Sequence, residues 1–187
     1  TATMEVTFTG SWYDETAEKE GAEKLIQNGC VLISQHADSM GAPTACEKAG
    51  VPNVSYNGST VSVGPNTYII SSRINWAPYY EYAIKAVMDG TAIDTDWTGT
   101  LATNSVVLTD LNTTVAAEGT AEAIAAATEK LEKGEIHVFD CSTFTTKADD
   151  TMNAFKVDYL KVDADGHITS YMADVDTDPV SYTHLRA

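Results

Sequence analysis

Basic residues are scarce in this chain of 187 residues. Lysine and arginine together number 11 against 27 aspartate and glutamate residues, so the formal net charge is −16. Nucleic-acid binding depends on clustered lysine and arginine side chains that neutralise phosphates, and docking on an anionic membrane surface depends on the same side chains. We therefore expect no nucleic acid among the partners of this chain, and no membrane surface that the chain binds directly.

Long apolar runs and cysteine pairs are also missing. No stretch approaches the ~18 consecutive apolar residues of a membrane-spanning helix. Three cysteines, Cys30, Cys46 and Cys141, are too few and too scattered for a disulfide framework or a CxxC metal site. Because free cysteine is among the most buried residue types, we expect these side chains to pack as small apolar groups.

The sequence lacks the common signatures of catalysis as well. The four histidines, His36, His137, His167 and His184, show neither HxH nor HExxH spacing, and the GxSxG, GxGxxG and P-loop patterns do not occur. His36 and Asp38 lie near serines, but no nucleophile elbow supports a hydrolase triad. We therefore expect a protein that is not an enzyme, with no catalytic residue, metal or cofactor.

Strand-like and helix-like patterns alternate along the chain. Apolar or alternating runs predict strands at residues 4–9, 30–34, 52–56, 68–71, 106–108 and 136–139. Runs with capping and stop signals predict helices at residues 14–28, 40–49, 76–88 and 116–133. Residues 157–171 predict a hairpin that turns at Asp165 and Gly166. Such alternation is typical of an α/β fold with a parallel sheet.

A polar segment follows the second predicted strand. It spans residues 35–40 and contains Gln35, His36, Asp38 and Ser39. Ligands of open parallel sheets bind beyond the carboxyl ends of the strands. Two interpretations stay open: Asp38 or Ser39 caps the following helix, or the segment contacts a ligand. Residues 57–60, beginning with Asn57, follow the third predicted strand in a comparable position.

The segment after the fourth predicted strand combines hydrogen-bonding groups with aromatic rings. It contains Arg73, Asn75, Trp76 and Tyr79. This mixture suits a planar heterocycle or a sugar, which would be held by stacking and hydrogen bonds. The alternative is that the aromatic side chains pack within the protein at the start of a helix.

Two blocks of the sequence, LISQHADSMGAPTACEKAGVPNVSYNG and IISSRINWAPYYEYAIKAVMDGT, occur in the order and spacing of a known family. They resemble the basic membrane protein (Bmp/Med) family, which comprises substrate-binding lipoproteins of ABC importers. The resemblance implies a type I periplasmic-binding-protein fold, in which two α/β lobes close on a ligand. It also implies an extracytoplasmic protein, lipid-anchored to the cytoplasmic membrane, that binds a purine base or nucleoside and delivers it to ABC permease subunits.

The resemblance also implies which side chains face the ligand cleft. Matching positions place there His36, Asp38, Ser39, Asn57, Asn75 and Trp76. Together with Arg73 and Tyr79 these residues form the candidate ligand-binding set. Asn57 stands where the nucleoside-binding branch has aspartate, and Ile74 stands where it has lysine, so two charged sugar contacts are missing. A purine-like ligand is therefore expected, with a nucleoside less favoured than a base.

The resemblance further implies a chain truncated at both ends, because family members are nearly twice as long. Residues 1–179 would form a partial substrate-binding domain, mainly the second lobe with hinge-crossing elements. Residues 180–187 depart from the family and resemble a translated sequencing adapter, so we expect a non-native tail. The alternative function is a ligand-sensing regulatory domain of the same fold, which predicts an upstream DNA-binding or signalling domain instead of a lipidated cysteine.

Overall fold

The computed structural model of the chain describes residues 3–136, together with the backbone of residues 161–162 and 168–170. Its elements in chain order are α1 (Glu15–Gln27), β1 (Ile33–Ser34), α2 (Gly41–Ala49), β2 (Asn53–Tyr56), β3 (Tyr68–Ile74), α3 (Ala77–Asp89), β4 (Val106–Leu108), α4 (Thr120–Glu132), β5 (Lys161–Val162) and β6 (Ile168–Ser170). The chain divides into two units, Thr1–Ala123 and Ile124–Ala187.

Four strands of the first unit form one sheet in the order β1-β2-β3-β4. β1 pairs with β2 and β2 pairs with β3 in parallel, with Ser34 opposite Val54 and Tyr56 opposite Ser72. The carboxyl ends of these three strands therefore lie at one edge of the sheet. The predicted α/β class with a mostly parallel sheet is confirmed.

The fourth strand, β4, runs antiparallel to β3, with Ile74 opposite Val106. Its direction follows from where the chain rejoins the sheet after α3. The carbonyl of Ser105 accepts a hydrogen bond from the N–H of Asn75 at 2.8 Å. Because this contact lies just beyond the carboxyl end of β3, β4 begins there and runs back along its neighbour.

The apolar core of the first unit lies between α1, α2 and β1, and most of its side chains are small. It comprises Ala22, Ile33, Ala42, Ala45 and Cys46, with Leu25, Ile26, Cys30 and Val51 packed around them. The two helices approach each other closely at Gly41, where a Cβ atom would lie 2.3 Å from the carbonyl oxygen of Glu15. A side chain at this position would therefore push the helices apart.

The boundaries of α1, α2 and α3 agree with the sequence signals to within one residue. α1 begins after Asp14, whose carboxylate accepts a hydrogen bond from the Ala17 N–H at 2.9 Å. α2 and α3 are capped at their carboxyl ends by Gly50 and Gly90, and both glycines adopt the left-handed conformation. α4 begins later than predicted, because Gly119, with φ +83°, directly precedes its first residue.

The strand predicted at residues 4–9 is wrong, because this segment does not pair with the sheet. Met4 and Phe8 are 86% and 90% exposed. The Asn28 amide, at the end of α1, donates a hydrogen bond to the Glu5 carboxylate at 2.8 Å. Alternating apolar residues favour a strand only where another surface covers one face, and the described residues provide no such cover here.

In the second unit, the paired strands confirm the predicted hairpin. β5 and β6 are antiparallel, with Val162 opposite Ile168. The predicted turn residues Asp165 and Gly166 lie outside the described residues, and so do residues 137–139 of the last predicted strand. Cys141 and three of the four histidines lie outside them as well.

Candidate functional site

A cavity of about 290 Å³ opens at the edge of the sheet where β1 and β2 end. Its walls come from the segment after β1, the last residue of β2 and the loop that follows β2. The lining residues are Gln35, Ala37, Asp38, Ser39, Met40, Tyr56, Asn57, Gly58 and Thr60. We call this space the first cavity. It lies where a parallel sheet is expected to bind a ligand.

Ser39 is a buried residue at the first cavity. Its Oγ accepts a hydrogen bond from the N–H of Gly41, the first residue of α2, at 3.1 Å. The N-cap residue of α2 is Met40, which makes no side-chain cap hydrogen bond, so neither Asp38 nor Ser39 is the cap that the capping interpretation predicts. Its own N–H donates to the Glu18 carboxylate, 3.1 Å from Oε2. Glu18 also accepts a hydrogen bond from the Asp14 N–H at 3.0 Å. One buried carboxylate therefore joins the start of α1 to the segment that lines the cavity.

Two other residues of this segment, His36 and Asp38, are exposed. The backbone N–H of Asp38 donates to the Trp12 carbonyl at 2.9 Å, which fixes the backbone where the Asp38 side chain lines the cavity. The ring of His36 stacks on Tyr56, with centroids 4.1 Å apart and an interplanar angle of 15°. Since Tyr56 lines the cavity, the stack supports an aromatic part of its wall.

Asn57 lines the first cavity in a left-handed backbone conformation, with φ +65°. Asparagine tolerates this conformation better than most residues. Its N–H donates to the Ser72 carbonyl at 2.6 Å, and the carbonyl of Gly58 accepts a hydrogen bond from Ser71 Oγ at 2.7 Å. The loop that carries Asn57 is therefore attached to β3.

Buried polar side chains support the same loop from inside the protein. Asn53 Nδ2 donates to Thr67 Oγ1 at 3.1 Å, and Thr67 donates in turn to the Glu47 carboxylate at 2.9 Å. Ser55 Oγ lies 3.4 Å from Asn53 Oδ1 and 3.0 Å from Thr60 Oγ1. We call these five residues the Asn53 network. It connects α2 to Thr60, which lines the first cavity.

The pKa values of two neighbouring residues on α2, Cys46 and Glu47, are shifted in opposite directions. Hydrogen bonds, chiefly the one from the Asn66 side chain, hold the pKa of the Glu47 carboxyl below its usual value of 4.5. Burial raises the pKa of the Cys46 thiol to about 11. Cys46 therefore stays protonated at neutral pH and packs in the core as the sequence predicted.

A second cavity of about 470 Å³ lies beside β3 and β4. Arg73 is an exposed part of its lining, and Gly58 lines both cavities. Tyr68 and Thr109 also line it, and their hydroxyl oxygens lie 2.6 Å apart. The structure therefore places Arg73 in a different cavity from Asp38.

Asn75, Trp76 and Tyr79 do not line either cavity. The Asn75 amide donates to the Asn104 carbonyl at 2.8 Å and accepts a hydrogen bond from the first N–H of α3 at 3.3 Å, so this side chain fixes the turn into α3. Tyr79 packs edge-on against Trp97, with centroids 5.3 Å apart, as the packing alternative predicts. Trp76 is exposed.

Among the lining residues of the first cavity, sequence reasoning missed only Tyr56. It is the last residue of β2, so it falls just short of the segment that the strand-end rule selects. The other lining residues, Gln35, Gly58 and Thr60 included, lie in the segments 35–40 and 57–60 that this rule selected.

The first cavity offers a carboxylate, amides, hydroxyls and an aromatic ring, which is a set suited to noncovalent recognition of a small polar solute.

In the part of the chain that the structure describes, no group of three or more His, Cys, Asp or Glu side chains could hold a metal ion. In that same part, every helix is too short or too polar to cross a membrane.

Residues 1–142 match the model of the Bmp family, whose description is ABC transporter substrate-binding protein PnrA-like. The chain belongs to this family. The family resemblance predicted from the two sequence blocks is therefore confirmed, and with it the class of ABC transporter substrate-binding proteins.

Curated relatives of this Bmp-family chain are named for two different solutes. The chain is 29% identical over 150 residues to a putative ABC transporter glucose-binding protein of Haloferax volcanii, covering 80% of this chain and 38% of that protein. It is 32% identical over 88 residues to a purine-binding protein of Brucella abortus, covering 47% of this chain and 25% of that protein. The matches therefore span less than half the length of either relative.

Solved structures of solute-binding proteins share the fold of this Bmp-family chain. An ABC transporter solute-binding protein from Conexibacter woesei gives a TM-score of 0.61 at 24% identity, over 74% of this chain and 47% of that one. Another from Aeropyrum pernix gives 0.59 at 20% identity, over 80% of this chain and 50% of that one. The predicted periplasmic-binding-protein fold is confirmed, and the chain spans about half the length of these neighbours.

Proposed function

We propose that the protein containing this chain is the solute-binding component of an ABC importer and that its solute is a purine base. Family membership supports the transporter class, and the purine-binding relative supports the solute. The observation that carries the proposal is the first cavity. It brings the carboxylate of Asp38, the amide of Asn57 and the ring of Tyr56 together at the carboxyl edge of the sheet.

These groups match the chemistry of a purine base. A carboxylate accepts hydrogen bonds from ring and exocyclic N–H groups, while an amide both donates and accepts. Stacking on Tyr56, whose ring also stacks with His36, would contribute about 1 kcal/mol beyond area burial. Asn57 is uncharged and gives a ribose no ionic contact, so a base is favoured over a nucleoside.

Only part of the candidate set enters this proposal. Asp38, Ser39 and Asn57 line the first cavity together, and His36 acts through its stack with Tyr56. Arg73 lines the second cavity, and a base confined to the first cavity does not need it. The remaining three, Asn75, Trp76 and Tyr79, line neither cavity, so their role in ligand binding carries no weight here.

Glucose is the second candidate solute, because the relative named for glucose matches 80% of this chain. A pyranose also uses carboxylate and amide partners, and it also packs against aromatic rings. A purine differs in offering a flat π-face and N–H donors rather than hydroxyls. A direct binding assay with both compounds therefore distinguishes a purine base from glucose as the solute.

Isothermal titration of the full-length protein with adenine, guanine, hypoxanthine, adenosine and glucose tests the proposal. We expect saturable binding of at least one base, and a thermal shift that grows with base concentration. Asp38→Asn and Asn57→Ala should each weaken that binding by about 5- to 150-fold, the equivalent of 1–3 kcal/mol. Binding of glucose alone would replace the purine with the second candidate.

The importer proposal also assigns partners and a location. We propose that the protein works outside the cytoplasmic membrane, where permease subunits receive its solute and a lipid anchor holds it at the membrane. The strongly acidic composition supports an exported domain that is not bound to polyanions. Fractionation of cells that are fed labelled palmitate would detect a labelled membrane protein, whereas an unlabelled cytosolic protein would contradict this assignment.

A further inference from the structure

Gln35 carries a side-chain oxygen that is buried in the protein. Gln35 Oε1 has almost no solvent-accessible surface and makes no hydrogen bond to any described residue. The residue as a whole is half-buried and lines the first cavity. An acceptor that folding removes from water and leaves unpaired destabilises a protein, so such groups in native structures require an explanation.

The position of Gln35 is determined by the sheet. It directly follows β1, and its N–H donates to the Val54 carbonyl at 3.1 Å. The next residues along the chain, from His36 to Ser39, are held by the Tyr56 stack and by the Glu18 carboxylate. The backbone of Gln35 is therefore fixed, and only a rotation of its side chain can bring the buried oxygen into the first cavity.

We propose that Gln35 is a specificity-determining residue: its side chain rotates into the first cavity when a solute binds, and its amide oxygen then accepts a hydrogen bond from that solute. The inference rests on the proposed function and deepens it, because it requires a solute that presents a donor to this part of the cavity. A purine base meets the requirement with a ring or exocyclic N–H. A site that leaves a buried acceptor unpaired discriminates strongly against analogues that lack the donor.

The first test replaces the amide with an apolar chain of similar length, Gln35→Met, in the full-length protein. We expect adenine affinity to fall by about 5- to 150-fold in isothermal titration. The melting temperature without ligand should stay the same or rise, because the substitution removes an unpaired acceptor. Gln27→Met is the matched control, since Gln27 is exposed at the end of α1, and it should change neither quantity.

The opposite behaviour of affinity and stability distinguishes this role from a structural one. If Gln35 served only to hold the fold, Gln35→Met would lower the melting temperature in step with affinity. That result would overturn the proposal, and so would adenine binding that is as tight as in the unmodified protein.

A second test changes the ligand. Unsubstituted purine lacks the exocyclic amine of adenine, and 9-methyladenine lacks one ring N–H. We expect one of these analogues to bind more weakly than adenine, and its further loss in Gln35→Met to be smaller than the loss for adenine, which is the coupling expected of interacting groups. Equal losses for all three ligands would contradict a direct hydrogen bond.

The same titrations separate failure of this inference from failure of the proposed function. If the unmodified protein binds no purine but binds glucose, the purine proposal fails, and Gln35→Met is then judged by glucose affinity, since a hydroxyl also donates. If the unmodified protein binds neither, both proposals are overturned.

Discussion

The Asn53 network and helix α3 show opposite relations between polarity and burial. Asn53 and Thr67 are polar, yet each is only 2% exposed, and hydrogen bonds join them to their neighbours. On α3, Val87 and Met88 are apolar, yet they are 69% and 81% exposed. Hydropathy alone would have assigned these residues the other way round.

The difference shows what holds each region. The network stabilises the loop at the first cavity through pairing, because a buried polar group contributes only when its partners are present. α3 is attached by its other face, where Tyr79 and Tyr82 pack against Trp97 with centroids 5.3 and 6.3 Å away. Substitutions should therefore be costly in the network and on the inner face of α3, and nearly neutral on the outer face.

The largest effect should come from Asn53→Ala. This substitution removes the donor to Thr67 and the acceptor near Ser55 and leaves a void, which together should lower the free energy of unfolding by about 3 kcal/mol. Urea denaturation measures the change. Asn28→Ala removes an exposed asparagine and should cost less than about 0.5 kcal/mol. Equal costs for the two variants would show that the network does not stabilise the fold.

Trp97→Ala should have the next largest effect, at about 2 kcal/mol, because it removes the ring that Tyr79 and Tyr82 pack against. Near-ultraviolet circular dichroism should lose aromatic signal in the same variant. Trp12→Ala is the control, since Trp12 is exposed. A loss of stability in the control as large as that in Trp97→Ala would contradict the attachment of α3 through its inner face.

A smaller effect concerns pH and the end of the network at Glu47. The pKa of this carboxyl is lower in the folded state than its usual value of 4.5. Its contribution to stability is therefore fully present above 4.5 and is lost as the pH falls through the folded-state pKa. Glu47→Gln should reduce the loss of stability between neutral pH and about pH 3. If the unmodified protein and Glu47→Gln lost stability equally between neutral pH and the acid range, Glu47 would not be the source of the pH dependence.

The smallest effects belong to the outer face of α3. Val87→Ala and Met88→Ala should each change the free energy of unfolding by no more than about 0.5 kcal/mol, because the side chains are exposed already. Thermal melts of both variants beside Asn53→Ala compare the two regions directly. A loss above about 2 kcal/mol for either variant would place the residue in a contact within the folded protein.

Local signals in the sequence predicted much of this fold. Gly50 and Gly90 marked two helix ends correctly, and the apolar runs located β2, β3 and β4. The strand predicted at residues 4–9 was wrong because an alternating pattern shows which side chains a strand could bury. The pattern does not show whether the protein provides a surface that covers them. The run at residues 30–34 gave only the two residues of β1, because Val31 is exposed and does not join the ladder.

The candidate site was predicted in part for a physical reason. Asp38 and Asn57 follow neighbouring parallel strands, so topology alone brings them to one edge. Thr67, which accepts a hydrogen bond from Asn53, comes from a loop whose path depends on tertiary hydrogen bonds that no local pattern specifies. Asn75 follows a strand as well, but its amide is used in the turn into α3. The residue type of Asn75 therefore predicted a polar group at this position, but not whether the group binds a ligand or stabilises a turn.

The Glu18 carboxylate has a consequence for the entropy of binding. It accepts hydrogen bonds from the backbone of Asp14 and of Ser39, so the segment that lines the first cavity is ordered before any solute arrives. Ordering a loop on binding costs conformational entropy and slows association. The backbone of this segment is already ordered in the folded protein. Association of a solute with this wall should therefore not be slowed by a rearrangement of the segment.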